Sequence, residues 1–281
     1  MPESPPLRSG RFGAPGDLPK ASSEPTVLFA APAGFLVVFI ALPVVALVLR
    51  GATAGDFWGS LHKPVVLAAL RLTLTTTLLT LLIVVATGTP LAYILARRRF
   101  PGRSLVQTIV DLPLVLPPMV AGVALLMAFG RVGLLGAQLT LIGLDLPFTT
   151  AAVVMAQTFV AAPFYVRSAR LGFAAIERAV EEAAIMDGAG FRQAFLYILL
   201  PLARPGLTGG AVLCLGRALS EFGATLLFAG NFAGRTQTMS LAIFQTMQSD
   251  LSAALVLAVI LVVASVAVLV VSQLVGNVNA E

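Results

Sequence analysis

The sequence predicts an all-α polytopic membrane protein of about six transmembrane helices with both termini in the cytoplasm. Three observations predict it. Of the 281 residues, 58% are hydrophobic and 11% are charged, whereas a soluble domain carries about 25% charged residues. The apolar residues gather in six long runs, each near the ~20 residues that cross a ~30 Å hydrocarbon layer. The basic residues between the runs fall mostly on alternate sides. Lipid cannot satisfy free backbone groups, so runs of this length must be helical. The composition excludes a secreted disulfide scaffold, a disordered chain and an ordinary cytosolic enzyme.

Residues 1–26 hold six prolines and little apolar content. Such a segment cannot bury a core and is expected to be a disordered cytoplasmic tail. Residues 27–49 contain no charge and exceed the roughly 7–15 apolar residues of a signal-peptide core, so they read as an uncleaved span. Further spans are expected over 72–95, 106–129, 148–168, 205–229 and 253–275, leaving 276–281 as a short tail. Asp111 stands near the start of the third span, and Pro113, Pro117 and Pro118 interrupt it. Prolines remove backbone donors and kink helices. The fourth span contains Pro163.

Orientation follows from the basic residues. With the N-terminus inside, the inner segments carry twelve of them, including Arg97–Arg99, Arg103, Arg167, Arg170, Arg178, Arg192 and Arg204. The outer segments carry five, and Arg217 lies within a span. Cytoplasmic loops collect Lys and Arg, which also accounts for the basic pI of about 10.1 without nucleic acid. The single cysteine, Cys214, lies in an apolar run and the single histidine, His62, in a loop. They offer neither an intrachain disulfide nor a metal cluster.

The long inner segment 169–204 is the largest hydrophilic stretch between spans. Ile176, Ala179, Val180, Ala183 and Ala184 recur at helical spacing, with Glu177, Arg178, Glu181 and Glu182 between them. Asp187-Gly188-Ala189-Gly190 breaks that helix, because glycine tolerates the dihedrals of a sharp corner. Phe191, Phe195 and Leu199 then share one face of a second helix, and Pro201 and Pro205 mark its end. Amphipathic helices need an apolar partner. Periodicity leaves open whether that partner is the lipid interface, the chain's own spans or a groove in another protein.

No Walker A loop is present, since that loop requires glycine directly before lysine. Lys20 follows Pro19 and Lys63 follows His62. Active transport by this chain would need an ion gradient or a separate ATPase. Ionisable groups inside a span mark protein interiors or water paths. The fifth span holds two, in Arg217-Ala218-Leu219-Ser220-Glu221-Phe222-Gly223. Arg217 and Glu221 are one turn apart and can pair. Two readings stay open: a self-neutralising pair that sets helix register, or a group at the pathway or gate, with Ser220, Phe222 and Gly223 beside it. Glu221 would repel an anion next to Arg217, which argues against Arg217 as a substrate ligand.

Glu182-Ala183-Ala184, then Gly188, then Ile198, Leu200 and Pro201 resembles the E-A-A-x3-G-x9-I-x-L-P loop of binding-protein-dependent ABC importer permeases, with every defined position matched. The resemblance implies a type I importer fold. It also implies that this loop docks into a cleft of an ATPase and couples nucleotide state to the spans, a role carried over to Glu182, Ala183, Ala184 and Gly188, with Ile198 and Pro201 closing the motif. The segment from Arg217 to Asn231, with Gly234-Arg235-Thr236-Gln237-Thr238 and Leu241-Ala242-Ile243, resembles molybdate importer permeases. Sulfate permeases share its Arg-Ala-x-x-Glu-Phe/Tyr-Gly part, and the stretch from Leu112 to Pro118 fits both branches. The likeness covers about 27–275 and leaves the N-terminal tail without a role.

The resemblance implies a homodimer in the inner (plasma) membrane of a prokaryote, an external molybdate-binding protein and two ATP-binding subunits. ATP and Mg would sit on those subunits, with no cofactor on this chain and no enzymatic activity of its own. A sulfate, thiosulfate or tungstate importer is the nearest alternative. An ion-driven secondary transporter would need an internal repeat and more mid-membrane polar residues than Asp111, Arg217 and Glu221. A membrane enzyme would need a catalytic cluster that the chain does not supply.

Overall fold

The computed structural model describes residues 24–53 and 57–278, and all regular structure among them is helical. The tail expected over 1–26 lies outside the described residues up to position 23, and the first helix, α1 (Glu24–Thr53), already includes 24–26. Up to Ala46 this helix forms a unit by itself, apolar from Val27 onward and carrying Pro32 and Pro43 in its interior.

The second unit runs from Leu47 onward. After the short α2 (Phe57–Leu61), helix α3 (Pro64–Arg97) is 34 residues long. It begins two turns before the expected position 72, because the exposed Arg71 ends an apolar run without ending a helix. Pro64 starts it, where the missing N–H costs nothing. The expected third span is two helices, α4 (Arg103–Val115) and α5 (Pro118–Phe129). Leu116 and Pro117 are extended between them, because a proline disfavours helical dihedrals in the residue before it. The kink expected there is therefore a full break. Helix α6 (Gly136–Leu141) lies in the following loop.

Helix α7 (Thr150–Ala175) opens with Thr149, whose hydroxyl accepts the Ala152 N–H at 3.2 Å, an N-cap. It runs seven residues past the expected 168 and takes up the start of the inner segment, burying Phe173 completely. Ile176 is extended beyond it, so it does not join the next helix, α8 (Arg178–Met186). Then come α9 (Phe191–Ala194), a π-helical turn over Phe195–Leu199, and α10 (Leu200–Leu202). The expected fifth span is also broken, into α11 (Arg204–Leu219) and α12 (Gly223–Ala229). Helix α13 (Met239–Thr246) and α14 (Leu251–Val278) complete the chain. The last helix includes 276–278 of the expected C-terminal tail, and 279–281 lie outside the described residues.

Among the described residues, α1, α3 and α14 contain stretches long and apolar enough to cross a membrane. The segments Phe191–Leu202 and Arg204–Leu219, bent by 69°, make a fourth as a broken pair. Helix α7 has the length but carries Gln157, Arg167 and Arg170.

Helix α7 is the central element of the second unit, flanked by α3 and α11. Lipid tails are as apolar as leucine, so such helices associate by close packing and hydrogen bonds rather than by transfer from water. The α7–α11 crossing shows this. A methyl group added at Gly206 would lie 2.6 Å from the Gly172 Cα, and the Ser168 hydroxyl donates to the Gly206 carbonyl at 2.8 Å. Close approach also holds at Gly210, against the Tyr165 carbonyl, whereas Gly216 has nothing within 4 Å. One end of the bundle is filled by Tyr93, Tyr165, Phe173, Leu199 and Cys214. A second cluster joins α5, α7 and α12 through Leu125, Val153 and Phe228. A third joins α3, α13 and α14 through Val66, Met239 and Leu257.

Candidate functional site: a docking corner and a helix break

The sequence singled out two regions, and both are places where a helix stops. At the first, α8 ends at Met186 and the chain turns at Gly188, whose φ is +87°. The Gly188 N–H donates to Ile185 O and the Ala189 N–H to Ala184 O, each at 3.0 Å. This pairing is a Schellman motif, which needs a left-handed residue after the cap. Open space surrounds Gly188, so backbone conformation alone requires glycine there. The Gly190 N–H then donates to Gln193 Oε1 at 2.9 Å and starts α9.

Beyond α9 the hydrogen-bond ladder widens. The Leu200 N–H reaches Phe195 O, five residues back, and Pro201 has no N–H to restore the normal spacing. Leu199 is buried on this turn, with Ile198 and Pro201 half-buried beside it.

The motif residues divide by exposure. Ala184 is buried, while Glu182, Ala183 and Gly188 are exposed. Around them Ile185, Tyr197 and Met186 present apolar surface, Met186 at 88% exposure. Glu181, which the sequence reading left without a role, turns inward. It accepts a hydrogen bond from Tyr93 Oη at 2.8 Å and faces Arg97 Nε at 3.7 Å. Tyr93 and Arg97 sit one turn apart at the end of α3. Beside them lies a cleft of about 560 Å³ lined by Arg97, Arg98, Glu181, Glu182, Ile185 and Phe191.

At the second region, Ser220, Glu221 and Phe222 are non-helical between α11 and α12. Arg217 Nη2 lies 2.7 Å from Glu221 Oε2, with the glutamate side chain 0% and the arginine 23% exposed. The other carboxylate oxygen accepts the Ala224 N–H at 2.8 Å and so caps α12. The Glu221 N–H donates to Ala218 O at 3.2 Å, and side-chain donors also reach the last carbonyls of α11. Gln157 Nε2 donates to Ala218 O at 3.3 Å, and the Ser240 hydroxyl donates to Leu219 O at 3.4 Å. Thr80 of α3 donates to Gln157 Oε1 at 3.1 Å, fixing the amide.

The remaining candidates at the break differ in placement. Ser220 is exposed, and its hydroxyl donates to Arg217 O at 3.2 Å. Phe222 is half-buried and packs on Phe244, ring centres 5.3 Å apart. Gly223 is buried, and a methyl group there would meet Pro118 Cβ at 2.9 Å. Asp111, the other charge expected inside a span, faces Arg167 at 3.8 Å.

The segment after α12 is held by its own polar side chains. Thr236 Oγ1 accepts the Phe232 N–H at 3.0 Å and donates to Gly230 O at 3.3 Å. Gln245 Oε1 accepts from Gln237 and from Asn231. Two ion pairs lie in loops. The Arg131 guanidinium hydrogen-bonds Asp145 and holds its carboxyl below the usual carboxylate range. Lys63 Nζ donates to Asp250 Oδ2 at 2.5 Å. That bond, with the Ala253 N–H, lowers the Asp250 carboxyl as well.

Residues 88–277 match the family described as binding-protein-dependent transport system inner membrane component. The chain is similar to the molybdenum transport system permease protein ModB of Mycobacterium tuberculosis, 41% identical over 89% of this chain and 91% of that one. It is 37% identical to the molybdate/tungstate transport system permease protein WtpB of Thermococcus kodakarensis, over 90% of this chain and 97% of that one. A chain in the crystal structure of a bacterial alginate ABC transporter, in complex with its pentasaccharide-bound periplasmic protein, has the same fold. The TM-score is 0.68 at 21% identity, covering 90% of this chain and 93% of that chain.

Proposed function

The chain belongs to the family of binding-protein-dependent transport system inner membrane components, and from that premise we propose that it is the permease subunit of an ATP-driven molybdate importer. The observation that carries the substrate is the 41% identity, over nearly the whole of both chains, to a permease named for molybdenum transport. In this reading the chain crosses the inner membrane of a prokaryote six times with both termini inside. The broken pairs α4–α5 and α11–α12 each count as one span. Two copies line the path, an external binding protein delivers the anion, and two ATPase subunits holding ATP and Mg drive the cycle.

The corner at Gly188 is the docking element. Glu182 and Ala183 are exposed on it beside Ile185 and Met186, a mixed polar and apolar face suited to a groove in a partner. Gly188 fixes the angle between α8 and α9, and Ile198 and Pro201 anchor the corner to the bundle. The break at Ser220–Phe222 lies on the translocation side. Arg217 and Ser220 border the path, the Arg217–Glu221 pair keeps the arginine from trapping the anion, and Phe222 and Gly223 set where α12 begins. ATP binding shifts the inward/outward equilibrium only as far as the partners' affinities for the two states differ.

The test is uptake of labelled molybdate in cells lacking only this gene, with and without excess sulfate. The expected result is lost uptake in the deletion strain and weak competition by sulfate in the parent. Loss of sulfate uptake with molybdate uptake intact would overturn the substrate, because both are tetrahedral dianions and this chain measures no radius. Normal uptake of both would overturn the importer reading.

A further inference from the structure

Helix α8 carries two adjacent glutamates, and the helix turns them about 100° apart. Glu182 faces outward. Glu181 faces α3, where Tyr93 Oη donates to its Oε1 at 2.8 Å and Arg97, only 6% exposed, faces its Oε2. The Tyr93 ring also packs on both sides of the corner. Its centre is 5.8 Å from that of Phe191 and 5.2 Å from that of Phe195, and 5.6 Å from Phe173 of α7. One side chain of α3 thus touches α8, α9, the π-helical turn and α7.

The chain itself joins the corner to α7 on one side and to α11 on the other. Helix α3 has no such covalent link and must be moved through contacts. Of the contacts to the corner, the Tyr93–Glu181 hydrogen bond is directional and charge-assisted, and such bonds are about twice as strong as neutral ones. The aromatic contacts are less specific and tolerate sliding.

We propose that Tyr93 and Glu181 form a latch that carries displacement of the docked corner into α3, making Tyr93 a positioning residue for coupling. This rests on the reading of the corner as the ATPase docking element. While the latch holds, α3 follows α8. Without its hydroxyl the corner still docks, but part of its movement is lost before it reaches the bundle.

Tyr93→Phe removes the hydroxyl and keeps the ring. The experiment uses the whole complex, permease with its ATPase and binding protein, in vesicles. Molybdate transported per ATP hydrolysed is measured, together with co-purification of the ATPase and the thermal midpoint. For Tyr93→Phe the expected result is a fall of about tenfold in that ratio, the change one hydrogen bond to a charged group can support, with the ATPase still bound and the midpoint within a few degrees. Glu181→Ala removes the same hydrogen bond together with the Arg97 contact, so it should give at least this fall, and adding Tyr93→Phe to it should give no further fall. An unchanged ratio in Tyr93→Phe, or effects that add in the double variant, would overturn the latch. If the unaltered complex shows no ATP-dependent uptake, the docking reading falls and the latch with it. Uptake in the unaltered complex with a normal ratio in Tyr93→Phe removes the latch alone.

Discussion

The helix ending at Met186 and the helix ending at Leu219 leave their last carbonyls in different surroundings. At the corner, Ala184 O and Ile185 O are satisfied by the backbone N–H groups of Ala189 and Gly188. The turn is complete by itself, so its outward side chains are free to meet a partner. At the break, Ala218 O accepts the Glu221 N–H and Gln157 of α7, Leu219 O accepts from Ser240 of α13, and the next helix is capped by Glu221. That turn is tied to the surrounding helices as well as to its own backbone. The corner is closed by its own backbone, whereas the break also draws on side chains of two neighbouring helices.

Changes that disturb each side separately sharpen the contrast. The largest effect is expected from Glu221→Leu, which leaves Arg217 without its partner and α12 without its cap. Removing one member of a buried pair costs ~3–5 kcal/mol, and the partial exposure of Arg217 puts this case near the lower end. Thermal unfolding in detergent should show a large drop, and adding Arg217→Met should recover much of it. A midpoint equal to that of the unaltered protein would mean the pair does not hold the break.

Gly206→Val comes next. Its added carbons collide with the Gly172 backbone, and overpacking of this kind costs about 1–3 kcal/mol. Gly216→Ala on the same helix meets nothing within 4 Å and should leave the midpoint unchanged. Equal effects at the two positions would contradict the crossing described above.

At the corner, Gly188→Val forces a β-branched residue into the left-handed region at a cost of roughly 1–2 kcal/mol. The strain is local, so the protein should stay folded in the membrane while ATP hydrolysis and uptake come apart. Transport at the normal level in that variant would remove the corner from the coupling path.

The smallest effect concerns the Lys63–Asp250 pair. Asp250 titrates lower in the folded chain than in the unfolded one, where an aspartate has a pKa of about 3.9. Its contribution is therefore fully present well above that value and is lost as pH falls through the depressed folded value. Both groups are partly exposed, so the change is small. Melting curves between pH 6 and pH 3 should show Asp250→Asn flattening the acid end only. A difference from the unaltered protein that grows as pH falls would have the wrong sign.

Much of this was legible from residue pattern. Gly188 stood out because a glycine between two amphipathic stretches signals a left-handed turn. Arg217 and Glu221 stood out because two charges one turn apart inside an apolar run are costly there and can pair. The break at Ser220–Phe222 was not legible. Its sequence contains no proline, and the side chains that donate to the last carbonyls of α11 there, Gln157 of α7 and Ser240 of α13, come from elsewhere in the chain. Pro117 and Pro118 gave a kink where the structure has a break, since two consecutive prolines hold both Leu116 and Pro117 out of the helix. Glu181 was missed because its partners lie 84 to 88 positions earlier in the chain, beyond any local pattern.

The central claim is that this chain forms a path opened by ATP hydrolysis on a separate subunit. The most direct measurement is molybdate uptake into vesicles containing the permease with its ATPase, with ATP and binding protein each supplied or withheld. The account predicts uptake only when both are present, persisting after ion gradients are collapsed. Uptake that continues without ATP, or that stops when the gradients collapse, would contradict it.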